Sequence, residues 1–349
     1  MIKNKYIINN ISGGKMKETE IKKNVDIEQI LREIEKEFGK ESIMLLGEEP
    51  SIIPETFSSG SLNIDNILGI GGWPKGRVIE IFGPESSGKT TLALHAIAEI
   101  QKTGGIAAFI DAEHSIDPIY AKNLGVDIKN LILAQPSSGE EALEIVDRLA
   151  KTGSIDLIVV DSVAALVPEV ELNGEMKDQT IGAQARLMSK ALRKITGTLS
   201  KNKTTVIFLN QIREKIGVMF GNPETTAGGK ALKFYASIRL EVRKSQNITN
   251  NGDITGNQIK CKVVKNKLAP PYKSTQIEIV FSRGISRVNE IIQLAEEFQI
   301  ISRKGSWYNY NGQNIAQGLL NLSLLLQTNL DLYNEIYNQV IEKNNNNNE

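Results

Sequence analysis

Gly83-Pro84-Glu85-Ser86-Ser87-Gly88-Lys89-Thr90 carries two glycines, a lysine and a hydroxyl at the spacing of a phosphate-binding loop, G-x-x-x-x-G-K-[ST]. The glycines let successive backbone N–H groups turn inward around a polyphosphate. Lys89 reaches the β- and γ-phosphates, and the Thr90 hydroxyl suits Mg²⁺. Arg77–Phe82 reads as the strand entering the loop, and Thr91 opens a helix whose dipole adds to the anion site. A chance glycine-rich turn would lack these flanks. The chain is expected to bind a nucleoside triphosphate.

Three further positions extend the chemistry. The apolar run Leu157–Val160 ends in Asp161, at the carboxyl edge where the loop also opens, so Asp161 is expected to hold the Mg²⁺ shell with Thr90. The bland alternative is a helix N-cap. Glu113 follows the strand candidate Ile106–Ile110 and is the candidate base; if that strand lies beside the P-loop strand, Glu113 points into the cleft and orients the attacking water. Its alternative is a surface carboxylate; Asp111 and His114 are weaker candidates. Gln211 closes the strand Val206–Asn210, and an amide there suits sensing a γ-phosphate. Directly after it runs a long Gly/Thr/Pro-bearing loop, 212–229, of the kind that is usually functional.

Basic residues gather around that loop. Arg186, Lys190 and Arg193 recur at i, i+4 and i+7 on one helix face, and Lys230 and Lys233 follow the Gly228-Gly229 turn. Ile216, Met219 and Phe220 serve as apolar wedges or as loop packing. Between Ala185 and Lys273, 18 Lys and Arg stand against Glu214, Glu224, Glu241 and Asp253, in a chain of net charge +0. That asymmetry suggests a face for a polyanion, or charges clustered on solvated faces. The single cysteine, Cys261, forms no internal disulfide, which fits a reducing compartment. It reads as a small strand residue rather than a reactive thiol. No apolar run reaches the ~18 residues a membrane helix needs.

The elements that must position these groups follow from periodicity. Strand candidates Val78–Phe82, Ile106–Ile110, Leu131–Ala134, Leu157–Val160 and Val206–Leu209 alternate with helical segments near 89–101, 139–151 and 183–200. Continuous apolar strands separated by helices predict an α/β fold with a largely parallel, doubly covered sheet. Phe234–Val242, Lys260–Lys267 and Gln276–Phe281, joined by polar turn-rich pieces, predict an antiparallel extension. The expected organisation is a disordered leader over 1–24, with Met16 as an alternative start, and a helical module over 25–50. The ATPase core follows over 51–285, then a small α/β domain over 286–342 with an Asn-Gly hairpin turn, and a disordered tail over 343–349. The module's stripe Ile27, Ile30, Leu31, Ile34 and Phe38 packs on its own domain or on a neighbouring subunit.

GPESSGKTTLALH (83–95), DAEHSIDPIYAKNLGVDI (111–128), LIVVDSVAALVP (157–168), NQIREKIGVMFGNPETTAGGKALKFYAS (210–237) and KVVKNKLAPP (262–271) resemble the bacterial RecA recombinases, over roughly 25–330. The 210–237 stretch is the most diagnostic, because a P-loop alone marks many unrelated NTPases. The resemblance implies a RecA-type ATPase that uses ATP and Mg²⁺, polymerises on single-stranded DNA as a helical filament, and exchanges strands with homologous double-stranded DNA. It implies that Glu113 activates water, that Gln211 senses the γ-phosphate, and that Tyr120, in the segment opened by Asp117, stacks on adenine. Thr91 and Asp117 join the nucleotide set. Lys265 and Lys267 would reach the ATP of the adjacent subunit.

Residues 171–181 and 212–226 would be the two DNA loops. Ile181, Arg186, Ser189, Arg193, Arg213, Lys215, Ile216, Phe220, Gly228, Gly229 and Lys230 would form the DNA-contacting set. Lys304 and Trp307 would handle duplex DNA, the 25–38 helix would dock subunits, and Phe234 would lie in a subunit contact. The resemblance further implies a cytoplasmic repair protein that prompts a repressor to cleave itself in the DNA-damage (SOS) response. Ile181, Glu214 and Lys230 depart from the residues most frequent there, and the tail lacks an acidic run. The rival readings are a ring-shaped hexameric helicase motor and a non-catalytic single-stranded-DNA scaffold.

Overall fold

The computed structural model describes residues 18–39, 42–43, 55–175, 180–214, 223–250 and 252–346. Its elements run α1 (Glu18–Phe38), β1 (Thr56–Phe57), α2 (Leu62–Leu68), β2 (Trp73–Pro74), β3 (Val78–Gly83), α3 (Lys89–Lys102), β4 (Ala107–Asp111), α4 (Pro118–Asn123) and β5 (Ile132–Ala134). Then come α5 (Gly139–Thr152), β6 (Leu157–Asp161), α6 (Glu169–Leu172), α7 (Ala183–Asn202), β7 (Thr205–Glu214), β8 (Glu224–Thr226), α8 (Ala231–Tyr235), β9 (Ile238–Asn250), β10 (Asp253–Asn266), β11 (Ser274–Val280) and β12 (Gly284–Ile285). The chain closes with α9 (Arg287–Glu297), β13 (Ile301–Lys304), β14 (Trp307–Tyr310), β15 (Gln313–Gln317), α10 (Leu319–Thr328) and α11 (Leu330–Asn346). Residues Met1–Ile53 and Pro54–Glu349 are two compact units.

In the first unit α1 begins at Glu18, earlier than the leader boundary expected at 24. Ile27, Ile30 and Phe38 of its apolar stripe are exposed.

The second unit is built on one sheet in the order β12-β11-β10-β9-β3-β7-β6-β4-β5, with β8 paired to β7. Strands β5, β4, β6, β7, β3 and β9 run parallel, and β10, β11 and β12 extend them antiparallel. The period-2 alternation of strand side chains divides the core in two. Ile79, Ile81, Phe109, Val159 and Leu209 pack with α3 on one face. Val78, Ile110, Ile158, Val160 and Phe208 pack with α5 and α7 on the other. Both faces are covered, which is what lets these strands read as unbroken apolar runs.

Four expectations are corrected. First, β4 does not lie beside the P-loop strand: β6 and β7 stand between them. Second, the strand expected over Phe234–Val242 begins at Ile238, because Phe234 falls in the short helix α8, and it pairs with β3 in parallel, so the antiparallel extension starts only with β10. Third, residues 247–250 and 253 of the polar stretch expected as a connector are strand. β-branched Ile248, Thr249 and Ile254 keep β9 and β10 in the ladder close to their turn, with a register shift at Thr255. Fourth, the final helix passes the boundary expected at 342 and runs to Asn346, held where Lys343 Nζ donates to Phe298 O (2.6 Å) and Asn344 Nδ2 donates to Asn66 Oδ1 (2.8 Å).

Residues beyond 286 form a three-stranded antiparallel sheet, β13-β14-β15, under α9, α10 and α11 with their own apolar cluster. Asn311 and Gly312 turn the β14–β15 hairpin at φ 50° and 79°, the pair of positive φ values that a type I′ turn requires.

Candidate functional site

The loop 83–90 is shaped by contacts no side chain would permit. A Cβ on Gly83 would lie 2.0 Å from Val242 O, and one on Gly88, at φ 91°, 2.7 Å from Ile279 Cδ1. Pro84, Glu85 and Ser86 form an exposed rim, and Ser87 is buried behind it. Lys89, the first residue of α3, is buried, and its Nζ donates to Gly83 O (3.3 Å) and Pro84 O (2.7 Å). Burial lowers its pKa, while the charges of Asp161 and Glu113 act against that fall. Thr90 Oγ1 donates to Asp161 Oδ2 at 2.7 Å. Burial pushes the Asp161 carboxyl up to about 6, against the Thr90 hydrogen bond; the Glu113 charge adds to the rise.

This set fits a triphosphate with a divalent cation. The buried Ser87 hydroxyl oxygen has no protein partner. Asp161 and Thr90 offer two oxygens side by side, and Mg²⁺ is held by few protein groups when substrate phosphates complete its shell. Consistent with that economy, no group of three or more His, Cys, Asp or Glu gathers as a metal site among the described residues. Tyr120 joins the same cleft. Its OH lies 2.8 Å from Thr91 Oγ1, and it lines a cavity of about 300 Å³ with Gly88, Lys89, Ile259, Ile279 and Phe281. Asp117 accepts from Ile119 N (2.8 Å) and Tyr120 N (3.2 Å), so it caps α4 and fixes the Tyr120 backbone.

Glu113 reaches the cleft without β4 being adjacent to β3. The chain leaving β4 is tied over the end of β6, where Ala112 N and Glu113 N both donate to Asp161 O (2.8 and 3.2 Å). Glu113 then accepts from two donors on neighbouring strand ends, Ser162 Oγ and Gln211 Nε2 (3.0 Å). Asp111 takes no part. It is buried and accepts from Ser115 N, Ile116 N and Gln135 Nε2, which shapes the turn.

Gln211 is bound to the second loop through its backbone. Its N–H donates to Asn210 Oδ1 (2.9 Å), while Asn210 Nδ2 donates to Glu80 Oε1 (2.9 Å) and Ala227 O (3.1 Å). Glu80 is fully buried in the middle of β3 and paired with Arg239, whose guanidinium lies 4.4 Å over the Phe82 ring. The loop expected without structure has a folded root: β7 and β8 pair Ile212 with Thr226, Arg213 with Thr225 and Glu214 with Glu224. Lys215, Ile216, Met219 and Phe220 lie outside the described residues. Gln184 knits this root to the other loop region, since its Nε2 donates to Val163 O (2.8 Å) and Leu166 O (3.1 Å) and its Oε1 accepts from Gly228 N (3.1 Å).

Sequence reasoning passed over Ser162, Asn210, Gln184, Glu80 and Arg239. Only Glu80 left a signal: an acid inside an apolar strand covered on both faces demands a buried partner.

Arg186, Lys190 and Arg193 are exposed along α7; Arg186 Nη1 donates to Ile181 O (3.3 Å) and Arg193 Nη2 to Ser189 Oγ (3.4 Å). Ile181 is 81% exposed. Gly228 and Gly229 press on Val163 and Ala185, where a Cβ would approach within 2.7 and 2.6 Å. Lys230 is exposed beside them. Lys265 does not line the P-loop cavity. Its Nζ donates to Lys233 O (2.6 Å) and Phe234 O (2.9 Å), and its pKa is lowered to about 8 by burial, with the Lys267 and Arg239 charges adding. Lys267 is exposed, as is Phe234 at 69%. Lys304 and Trp307 face each other across β13 and β14, both exposed.

Residues 25–286 match the RecA N-terminal domain and 289–345 the RecA C-terminal domain. The chain is 70% identical over 325 residues to a protein named Protein RecA from Mesomycoplasma hyopneumoniae, covering 93% of this chain and 96% of that one. It is 71% identical over 316 residues to Protein RecA of Mycoplasma mobile (90% and 96% covered) and 56% identical over 310 residues to Protein RecA of Macrococcus caseolyticus (89% and 88%).

Proposed function

The chain belongs to the RecA family, and we propose from that premise and the cleft geometry how its residues share the work. It is a DNA-dependent ATPase of recombination and repair that binds DNA and forms filaments. The observation that carries the finer reading is the meeting of Glu113 and Gln211 at 3.0 Å, between the nucleotide-binding residues and the root of the β7–β8 hairpin.

ATP is the nucleotide in this reading, with Tyr120 against its base and the 83–90 amides and Lys89 around its phosphates. Mg²⁺, held by Thr90 and Asp161, would spread the negative charge of the phosphates. Glu113 accepts the proton of the attacking water. Ser162 and Gln211 fix the carboxylate's orientation, and positioning is most of the catalysis in phosphoryl transfer. Gln211 exchanges its bond to Glu113 for the γ-phosphate, and Asn210 passes that change to Ala227 and the hairpin. The second loop and the exposed Arg186, Lys190 and Arg193 hold single-stranded DNA through its phosphates. Lys304 and Trp307 meet the duplex.

Lys265 and Lys267 act on the nucleotide of the adjacent subunit, which fits the lining of their own P-loop cavity, to which neither contributes. Such a filament works in the cytoplasm and prompts a repressor to cleave itself. A passive scaffold has no use for the Glu113 arrangement, and a ring motor does not account for the 210–237 stretch.

Glu113→Gln tests the catalytic reading. ATP binding should persist and turnover should fall by roughly 10²–10⁴-fold, the usual loss of a positioned base. Unchanged single-turnover hydrolysis would show that Glu113 is not the base.

A further inference from the structure

Gln184 is the second residue of α7, yet among the described residues its side chain bonds no part of its own helix. Its Nε2 donates to Val163 O (2.8 Å) and Leu166 O (3.1 Å), and its Oε1 accepts from Gly228 N (3.1 Å). A primary amide has two N–H donors and one oxygen, so both kinds of group are engaged. Segments far apart in the chain meet on this one side chain.

Each segment leads to a different part of the machinery. Val163–Ala165 is the short turn leaving β6, directly after Asp161 and Ser162. Asp161 accepts from Thr90, and Ser162 Oγ donates to Glu113. Gln184 itself lies at the exit of the first loop, just past Ile181 and just before Arg186. Gly228 stands at the exit of the second loop, just before Lys230. One amide therefore joins the nucleotide cleft to the exits of both loops.

Packing stiffens the joint. Val163, Leu166 and Met188 are buried. Gly228 and Gly229 both sit at φ 76°. A Cβ on Gly228 would lie 2.7 Å from Val163 Cγ1 and 3.3 Å from Met188 Cγ, and one on Gly229 would lie 2.6 Å from Ala185 Cβ. With no room between them, these segments cannot slide past one another singly. A side chain that only satisfied the turn after β6 would need no bond to Gly228. One that only steadied the second loop would need none to Val163 and Leu166.

We propose that Gln184 is a positioning residue that couples both DNA loops to the nucleotide cleft. A shift of the Asp161–Ser162 strand end on ATP binding moves the exits of the first and second loops together. This rests on the reading of α7 and the second loop as the elements that hold DNA. It is distinct from the Gln211 route, which enters the second loop alone through Asn210 and Ala227. Gln184 touches neither nucleotide nor DNA in this role.

The test uses the full-length protein and a thymidine oligonucleotide, titrated with an ATP analogue and with ADP across a salt series. Gln184→Met keeps the reach of the side chain and removes its hydrogen bonds. The ratio of DNA affinities in the two nucleotide states should fall roughly ten-fold, within the usual span of coupling between two sites. The ADP-state affinity, the salt slope and DNA-independent hydrolysis should stay at wild-type values, because no phosphate contact and no catalytic group is lost. Gln184→Ala, well suited to a helix, should give the same result.

Arg186→Ala tests the underlying reading separately. If it leaves DNA affinity untouched, α7 does not hold DNA and the proposal fails with that reading. If it weakens binding while Gln184→Met keeps the full ATP/ADP ratio, only the proposal falls. An equal loss in both nucleotide states would also overturn it. With a flatter salt slope, Gln184 would be a DNA contact; with the slope kept and a lower Tm, it would be a structural support alone.

Discussion

Gln211→Ala tests whether the nucleotide cleft speaks to the DNA loop through one side chain. The backbone of Gln211 is pinned at both ends: its N–H donates to Asn210 Oδ1, and its carbonyl accepts from Ala227 N (3.4 Å). Truncation at Cβ leaves these bonds and the hairpin root intact, and removes only the amide that donates to Glu113 Oε1 at 3.0 Å. A hydrogen bond to a charged acceptor is worth about 1.5–3 kcal/mol. At about 1.4 kcal/mol per factor of ten, its loss should reduce the coupling roughly 10–150-fold. Linkage requires that ATP tighten DNA binding by the same factor by which DNA tightens ATP binding, and both factors should collapse together.

The assay is single-stranded-DNA affinity with an ATP analogue and with ADP, across a salt series. Arg186→Ala is the control. It should weaken DNA binding in both nucleotide states and flatten the salt slope by about one unit, with the ATP/ADP ratio kept. If Gln211→Ala kept the full ratio of affinities, the sensor assignment would be wrong.

Three further outcomes follow from the same geometry. Lys265→Ala or Lys267→Ala should lower DNA-stimulated ATPase, and mixing either variant with Lys89→Ala should restore part of it at junctions that pair two intact half-sites; no restoration at any ratio would rule out action across subunits. Arg239→Ala should cost about 3–5 kcal/mol in chemical denaturation, because it strands the fully buried Glu80 carboxylate; a loss below about 1 kcal/mol would mean the pair contributes little. Burial raises Glu290 from 4.5 to about 7, against hydrogen bonds from Ser61, Asn63 N and Leu62 N. The folded state therefore binds the proton more tightly than the unfolded one, so this group's stabilisation is complete below about pH 4.5 and is lost as pH rises toward 7. The Tm of Glu290→Gln should vary less than wild type between pH 5 and 8, and parallel profiles would refute the shift.

Much of the chemistry was legible in the chain because it is local. A phosphate-binding loop is one strand, one turn and one helix start, so Gly83, Gly88, Lys89 and Thr90 declare themselves by spacing. Asp161 did so too, as the acid that ends an apolar strand. The sheet was equally readable, since strands covered on both faces must be apolar throughout. What only the tertiary structure decided is which strand ends meet. Glu113 was expected at the cleft through a β4–β3 pairing that does not exist; it arrives because the chain leaving β4 is tied over the end of β6, which brings Glu113 within reach of Ser162 and Gln211. Strand order depends on which crossovers the helices make, and periodicity along one strand carries no record of its neighbours.

The same limit hid Asn210, Gln184 and Arg239, polar side chains of ordinary type whose roles come from partners distant in sequence. The β7–β8 root was unreadable for a related reason: three cross-strand pairs at the foot of a long loop are too few to impose a pattern on the composition. Sequence alone thus singled out the candidate groups, whose spacing is covalent. The fold determined their partners, because buried polar groups must be satisfied by whatever the packing brings within hydrogen-bond distance.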